Sequence, residues 1–230
     1  GEDAWVLEVP AMLPWLDEFP MLRRYTLPRA RVGLRDRRPV EWAQAWGHHY
    51  RGDQLTAFAR ELIDETPFAD RRAQRAVELG ERALVVNIRR GDYYSVPEHR
   101  ERYGMNIVGW VRHALPLALE STPIERIQLV SDDLDWCARE LGWLAEHRPT
   151  SFARLGSGPA DDLAVLASAD ALILANSTFS YWGGHLNGAR RAGADRRIIA
   201  PAFHARGQST GDRSWHLDPA WQTVEELPGG

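Results

Sequence analysis

Residues 83–92 of this 230-residue chain read Ala-Leu-Val-Val-Asn-Ile-Arg-Arg-Gly-Asp. A run of aliphatic and β-branched residues ends there in two arginines, a glycine and an aspartate. Such a run predicts a buried central strand that delivers charged groups to the open edge of a parallel sheet. Because successive side chains of a strand point to opposite faces, Arg89 and Arg90 need separate partners. An anion, above all a phosphate, is a natural partner for one of them.

The sequence after residue 81 alternates between strand and helix patterns. This alternation predicts an α/β fold with a parallel sheet wound in the Rossmann manner. Four strands are predicted, at residues 83–88, 126–130, 171–175 and 197–200. Helices are predicted at residues 107–120, 134–141 and 163–169, and from the end of the 176–180 segment to about residue 190. Residues 145–160 and the tail after Phe203 are expected to be loops, the tail anchored by Trp215 and Trp221.

The first 80 residues differ from the rest of the chain. They are interrupted by prolines and predict loops and helices, with no βαβ unit. Residues 41–64 have a helical pattern broken by two glycines, and Asp70 is a candidate cap for a helix at 71–79. Four apolar side chains are expected to anchor this region onto another surface: Trp5, Trp15, Phe19 and Leu22. The chain therefore divides near residue 80.

The composition excludes several classes of protein. A net charge of −4 argues against a nucleic-acid-binding surface. No apolar run reaches the length of a membrane span, and the acidic start lacks the plan of a signal peptide. The single cysteine, Cys137, excludes an internal disulfide and fits a reducing compartment. The expected location is the cytoplasm, with peripheral association at the inner membrane face as the alternative.

Polar clusters follow three of the four predicted strands, at residues 87–92, 131–133 and 176–180. In a parallel sheet these clusters meet beyond the carboxyl ends of the strands, where ligands bind. Residues 131–133 also suit a simple helix cap. The hydroxyl-rich 176–180 segment precedes a helix N-terminus, and that combination suits a phosphate. A Gly-x-Gly-x-x-Gly fingerprint and a Walker lysine are both missing, which disfavours dinucleotide and P-loop sites.

Asn87-Ile-Arg-Arg-Gly-Asp92-Tyr93 resembles the His-x-Arg-Arg-x-Asp motif of fucosyltransferases that form α1,2-, α1,6- and protein-O-linked fucose. Residues 129–136 and 162–183 resemble, more specifically, glycosyltransferase family 11, the α1,2-fucosyltransferases. The Asn-Ser-Thr-Phe-Ser-x-Trp-Gly signature at 176–183 is long and unusual. The resemblance covers roughly residues 80–205. Asn87 stands where the motif usually has His, and residues 1–80 lack the Gly-Gly-x-Gly-Asn-Gln-x-x-Gln segment of the family.

The resemblance implies a GT-B-like fold in which two Rossmann-like domains face each other across a cleft. Residues 81–230 would be the GDP-sugar-binding domain and residues 1–80 a shortened or truncated, largely helical acceptor-side region. The implied function is an inverting transfer of L-fucose from GDP-β-L-fucose to a galactoside hydroxyl, in α1,2 linkage. Neither a metal nor a cofactor is expected. The alternative is a catalytically silent protein that binds GDP or a nucleotide sugar.

The resemblance also assigns roles to individual residues. Arg89 would hold the β-phosphate, while Arg90 would pair with Asp92 or another carboxylate and hold the loop. Asp162 would read guanine, although it also suits a helix cap beside Asp161. The full donor-binding set is Asn87, Arg89, Arg90, Asp132, Asp162, Ser177, Thr178 and Phe179.

The catalytic set is Arg89, Asp92 and Glu98. Glu98 and His99 are candidates for the base that accepts the acceptor proton, although their charged surroundings also suit a solvated loop. His185 and Asn187 are expected either to face the acceptor or to lie on a helix surface.

Overall fold

The computed structural model describes residues 6–7, 10–28, 31, 52–64, 66–189, 197–207, 212–214 and 217–225. Trp5, residues 41–51 and Trp215, on which some of the sequence predictions fall, lie outside these residues. Two short parallel strands, β1 and β2, pair near the N-terminus, at Val6–Leu7 and Thr26–Leu27. No helix in the described part of the chain combines the length and apolar character needed to cross a bilayer.

The main sheet has six described strands, all of them parallel. They are β3 Ala83–Ile88, β4 Arg126–Ser131, β5 Thr150–Ser151, β6 Ala171–Ile173, β7 Arg197–Pro201 and β8 Gln222–Val224. Their spatial order is β5-β4-β3-β6-β7-β8. Counted along this sheet the order is 3-2-1-4-5-6, which is the Rossmann order. The predicted α/β class with a Rossmann-type parallel sheet is confirmed.

Nine α-helices belong to the described residues. They are α1 Leu13–Glu18, α2 Gly52–Ile63, α3 Pro67–Leu79, α4 Gly91–Ser95, α5 Pro97–Tyr103, α6 Ile107–Ser121, α7 Leu134–Glu140, α8 Pro159–Ser168 and α9 Thr178–Ala189. Short 3-10 helices occur at Pro10–Met12, Pro20–Tyr25 and Gly142–Glu146. The described residues before residue 80 are largely helical, as predicted.

Strand β3 lies at the centre of the sheet and is buried on both faces. Leu84, Val86 and Ile88 pack with α6 on one face. Val85 packs on the other face, in a cluster that includes Val165 of α8. This burial on both sides explains why the strand reads as a continuous apolar run and not as an alternating one.

The N-terminal helices pack against the sheet region through an apolar cluster. Phe19, Leu62 and Phe68 lie in one core with Leu163 of α8 and Leu186 of α9. Trp15 and Leu22 pack against the same cluster. The predicted anchoring role of Trp15, Phe19 and Leu22 is therefore confirmed. Trp221 is also buried, as predicted for the tail. A domain boundary at residue 80 stays a prediction.

Several element boundaries differ from the sequence predictions. The helix predicted at 71–79 begins at Pro67, because the Thr66 hydroxyl accepts the backbone N–H of Ala69 and caps it. The helix predicted at 163–169 begins at Pro159 after Gly158, so Asp161 is not its cap. Strands β5 and β8 were not predicted, because two or three residues carry too little pattern. The charged stretch from Glu98 is helix α5, not a loop.

Candidate functional site

The order of the strands places β3 beside β6. The connections that follow these two strands leave in opposite directions and open a crevice between them, which is the topological switch point of a Rossmann sheet. A cavity of about 360 Å³ lies at this point. It is lined by seven of the eight predicted donor-binding residues: Asn87, Arg89, Asp132, Asp162, Ser177, Thr178 and Phe179. The structure therefore brings the three polar clusters together, as the sequence predicts for the carboxyl ends of parallel strands.

The Arg89 guanidinium is held between two carboxylates. Its Nη1 lies 2.7 Å from Asp132 Oδ2, and its Nη2 contacts Asp92 Oδ1. The Arg89 side chain is 38% exposed and its guanidinium carbon lies 5.5 Å from the centre of the Tyr93 ring. Ion pairs with this exposure contribute little net stability. An incoming anion can therefore replace either carboxylate at small cost.

Asp132 is fixed by the backbone that follows β3. Its Oδ1 accepts the backbone N–H of Arg90 at 2.8 Å. Gly91 lies so close that a Cβ atom there would be 2.4 Å from Asp132 Oδ2. A side chain at residue 91 would therefore displace the Asp132 carboxylate from its present position.

Arg90 has a structural environment different from that of Arg89. Its guanidinium carbon lies 4.4 Å from the centre of the Tyr94 ring and 4.3 Å from that of Trp136. Its Nε lies 3.4 Å from Asp133 Oδ2. Of the two predicted alternatives, Arg90 pairs with another carboxylate, Asp133, and not with Asp92, because Asp92 lies in the first turn of α4 and faces Arg89. Arg90 is not among the residues that line the cavity.

Asn87 and the start of α9 form a buried polar link beneath the cavity. The Asn87 amide donates to the Val130 carbonyl at 3.0 Å, and its oxygen accepts the Ser180 hydroxyl. Ser177 and Ser180 are joined by their hydroxyl oxygens, 2.7 Å apart. Ser177 Oγ also accepts the Ser180 backbone N–H at 3.2 Å. This link ties the N-terminus of α9 to β3 and β4, and Ser177, Thr178 and Phe179 line the cavity there.

The first turn of α8 holds two aspartates with different partners. Asp161 lies 2.9 Å from Arg71 Nη1 of α3 and accepts the Ser157 N–H at 2.8 Å. Burial alone would raise the pKa of Asp161, but these hydrogen bonds hold it below its ordinary value. Gly156, with φ +87°, passes so close that a Cβ would lie 2.4 Å from the Asp161 carboxyl carbon. Asp161 is therefore a structural residue.

Asp162 faces the cavity with a side chain that is 12% exposed. Its Oδ2 lies 3.1 Å from Arg154 Nη2. Burial raises the pKa of Asp162 to about 6, and the Arg154 cation opposes that rise. A carboxylate with a raised pKa that faces a cavity, next to a cation, is typical of a ligand-binding group.

Comparison with known proteins identifies the family. The family model described as Glycosyl transferase family 11 matches residues 48–215. The chain belongs to glycosyl transferase family 11. Galactoside 2-alpha-L-fucosyltransferase SEC1 of Bos taurus is 31% identical to it over 107 residues, which cover 45% of this chain and 28% of that protein. The family 11 resemblance of the sequence is thereby confirmed.

Solved structures similar to the chain include those of POFUT1. POFUT1 in complex with GDP-fucose has a TM-score of 0.46 and 15% identity, covering 81% of this chain and 57% of that chain. The apo form of POFUT1 has a TM-score of 0.44 and 12% identity, covering 84% and 59%. The chain thus spans under a third of the bovine relative and under two thirds of these structures.

The family 11 signature after β6 also serves packing. Gly183 and Gly184 let α9 approach its neighbours, since Cβ atoms there would lie 2.7 Å from Leu166 and 2.6 Å from Trp221. Asn187 donates to the carbonyls of Leu166 and Ala169, both at 2.9 Å, and so ties α9 to the end of α8.

His185 and Asn187 are buried, so a place on the helix surface is wrong for both. Neither residue lines the cavity at the switch point.

The predicted catalytic residues differ in their distance from the cavity. Asp92 contacts Arg89 and lies 3.4 Å from His99 Nδ1. Glu98 is exposed on α5 and does not line the cavity. Asp92 does not line the cavity either, but it contacts Arg89, the candidate phosphate ligand, which does.

Two cavity residues were missed at the sequence level. Tyr93 stacks on Tyr103 with ring centres 4.5 Å apart, and burial raises its pKa to about 12. Arg154 lies in the loop between β5 and α8. Tyr93 directly follows the arginine motif and could have been included on that ground. Arg154 stands alone in a loop of a chain whose basic charge is all arginine, and no sequence signal singles it out.

Proposed function

We propose that this chain is an inverting glycosyltransferase that moves L-fucose from GDP-β-L-fucose to a galactoside hydroxyl, forming an α1,2 linkage without a metal ion. The observation that carries the proposal is the cavity at the switch point of the sheet. It surrounds one volume of about 360 Å³ with Arg89, the start of α9 and Asp162. This size falls in the range of small-molecule sites. Family membership and the bovine galactoside 2-alpha-L-fucosyltransferase relative support the same donor.

The charges of the cavity orient the donor. The Asp162 carboxylate repels phosphate and can accept the N1–H and the exocyclic amine of guanine, a donor pair that adenine does not offer. We place the diphosphate at Arg89 and the N-terminus of α9, because a guanidinium and the positive end of a helix dipole both favour anions. Guanine therefore binds beside Asp162 and the β-phosphate beside Arg89.

The transfer breaks the bond between the fucose anomeric carbon and the β-phosphate oxygen. The acceptor hydroxyl attacks from the opposite face, so a β-linked donor yields an α-linked product. Negative charge grows on the departing GDP, and a fixed guanidinium stabilises that charge without a metal. The phosphate replaces Asp92 and Asp132 as a partner of Arg89. Asp92, once released, is the carboxylate that takes the acceptor proton.

The test is an incubation with GDP-fucose and a β-galactoside such as lactose. Release of GDP above the rate without acceptor, and an α-linked fucose on the galactose 2-hydroxyl by NMR, are the expected results. Arg89→Ala should abolish both. A β-linked product, or fucose on a different hydroxyl, would overturn the inversion or the linkage.

The second candidate is a catalytically silent GDP-binding protein. What favours it is that the residues lining the cavity all fall between residues 87 and 179 in the described part of the chain, on one wall of the expected cleft. Tight GDP binding with no transfer to any galactoside would select this alternative. Failure to bind GDP at all would refute both candidates.

A further inference from the structure

The loop that carries Arg154 is built on a fixed base. The preceding residue, Ala153, accepts the side-chain amide of buried Gln128 through its carbonyl at 2.8 Å. From this base the Arg154 guanidinium reaches the cavity wall, with Nη2 3.4 Å from the Ser131 carbonyl oxygen and 3.1 Å from Asp162 Oδ2. The arginine therefore bridges the end of β4 and the first turn of α8.

Three charged groups influence the ionisation of Asp162. Arg154 faces it from the loop, Asp132 from the end of β4, and Asp161 from its own helix. Arg71 of α3 points at Asp161 and pairs with that residue instead. Burial and the two neighbouring carboxylates disfavour ionisation of Asp162, and Arg154 is the cation among these groups that favours it.

We propose that Arg154 is a positioning residue that holds the Asp162 carboxylate ready for guanine and so sets the nucleotide selectivity of the site. This inference rests on the proposed function, because it takes a guanine nucleotide as the ligand. A protonated Asp162 has one acceptor fewer than the carboxylate. Its O–H also faces the N1–H and the exocyclic amine of guanine, which are themselves donors. Donor affinity should therefore fall on the acid side, at a pH that Arg154 controls.

The experiment measures the affinity for GDP-fucose between pH 5.5 and 8 by calorimetry, without acceptor. GDP-fucose is the probe because both its phosphates are esterified, whereas a terminal phosphate titrates near about pH 6. The variants are Arg154→Gln, Arg154→Lys, Asp162→Asn and the double variant of Arg154→Gln with Asp162→Asn. Circular dichroism and thermal unfolding confirm that each variant is folded.

Removal of a cation beside a carboxylate moves its titration by about one pH unit at a partly exposed pair. Arg154→Gln should therefore bind about eightfold more weakly than wild type at pH 5.5 and within about twofold at pH 8. The ratio of its affinities for GDP-fucose and an ADP-sugar should fall with the same pH midpoint. Arg154→Lys should restore the wild-type dependence of affinity on pH. In the Asp162→Asn background, Arg154→Gln should have no further pH-dependent effect.

An equal loss at pH 5.5 and pH 8 would show that Arg154 contacts the ligand directly, and would overturn the inference. A pH midpoint unchanged by Arg154→Gln would overturn it as well. These results are distinct from a failure of the proposed function, in which wild type itself shows no GDP-fucose binding at any pH.

Discussion

Replacement of Arg89 by Ala should weaken the binding of GDP and leave that of GMP nearly unchanged. The structure places this guanidinium at the carboxyl end of β3, with Asp92 and Asp132 as its partners. In the complex the β-phosphate takes their place. Because GMP lacks a β-phosphate, the ratio of the two dissociation constants isolates the contact from any general damage to the site.

The magnitude follows from an exchange of partners. A guanidinium makes two charge-assisted hydrogen bonds to a phosphate, each with a net contribution of about 1.5–3 kcal/mol. The two ion pairs given up are partly exposed, so each returns only about 0.2–1 kcal/mol. These ranges give a net loss for Arg89→Ala of about 1–5.6 kcal/mol, with a midpoint of about 3.3 kcal/mol, or roughly 250-fold in the dissociation constant for GDP.

Calorimetry at pH 8, where Asp162 is ionised, measures both nucleotides. Arg23→Ala is the matched control, because Arg23 also pairs with one carboxylate, Asp17, but lies away from the cavity. Arg89→Lys should recover part of the loss, since it keeps the charge and loses the two-pronged geometry. An equal loss of GDP and GMP affinity, or no loss of either, would refute the β-phosphate assignment.

Three further predictions concern the same site. Burial raises the pKa of Asp162 to about 6, above its ordinary 3.8, so ionisation of Asp162 destabilises the ligand-free fold as pH rises. Asp162→Asn should therefore add on the order of 2–3 kcal/mol to the free energy of urea unfolding at pH 8. This gain should disappear as pH falls from 6 to 4. Gly91→Ala should push Asp132 off the Arg90 N–H and lower the free energy of unfolding by about 1–2 kcal/mol, whereas Gly188→Ala, with open space around it, should raise it by about 0.5–1 kcal/mol in thermal unfolding. The rate of transfer should be unchanged in EDTA, and a loss that Mg²⁺ or Mn²⁺ restores would contradict the role given to Arg89.

The sequence predicts most of the sheet because its central strands are long and apolar. The bounds of β3 match those of the structure, and those of β4 and β7 match within one residue. The edge strands β5 and β8 are not predicted, because their conformation depends on pairing with a neighbouring strand and their own sequences carry no strand pattern. Helix α5 escapes for a different reason: its charges suggested solvated loop, while Pro97 at its first position starts a helix.

The location of the site was predictable, and the pairing within it was not. Strand order brings the residues after β3 and β6 to one edge, and the cavity contains seven of the eight predicted residues. Arg90 pairs with another carboxylate, Asp133, and not with Asp92, because a helix begins at Gly91, immediately after the strand. Asp92 then faces the residue three positions earlier, Arg89, and not the nearer Arg90.

The two neighbouring arginines thus differ in exposure and in partners, although both belong to the same sequence motif. Arg90 is enclosed by two aromatic rings, and its side chain is 21% exposed, so its removal would leave a gap and would take away the ion-pair partner of Asp133. Arg89 is 38% exposed and rests on carboxylates that compete only weakly with a phosphate. Without ligand, the Arg89 cation is therefore balanced by two carboxylates. Under the proposed function, the β-phosphate of the donor would replace both of them, and Asp92 would then be available as the base.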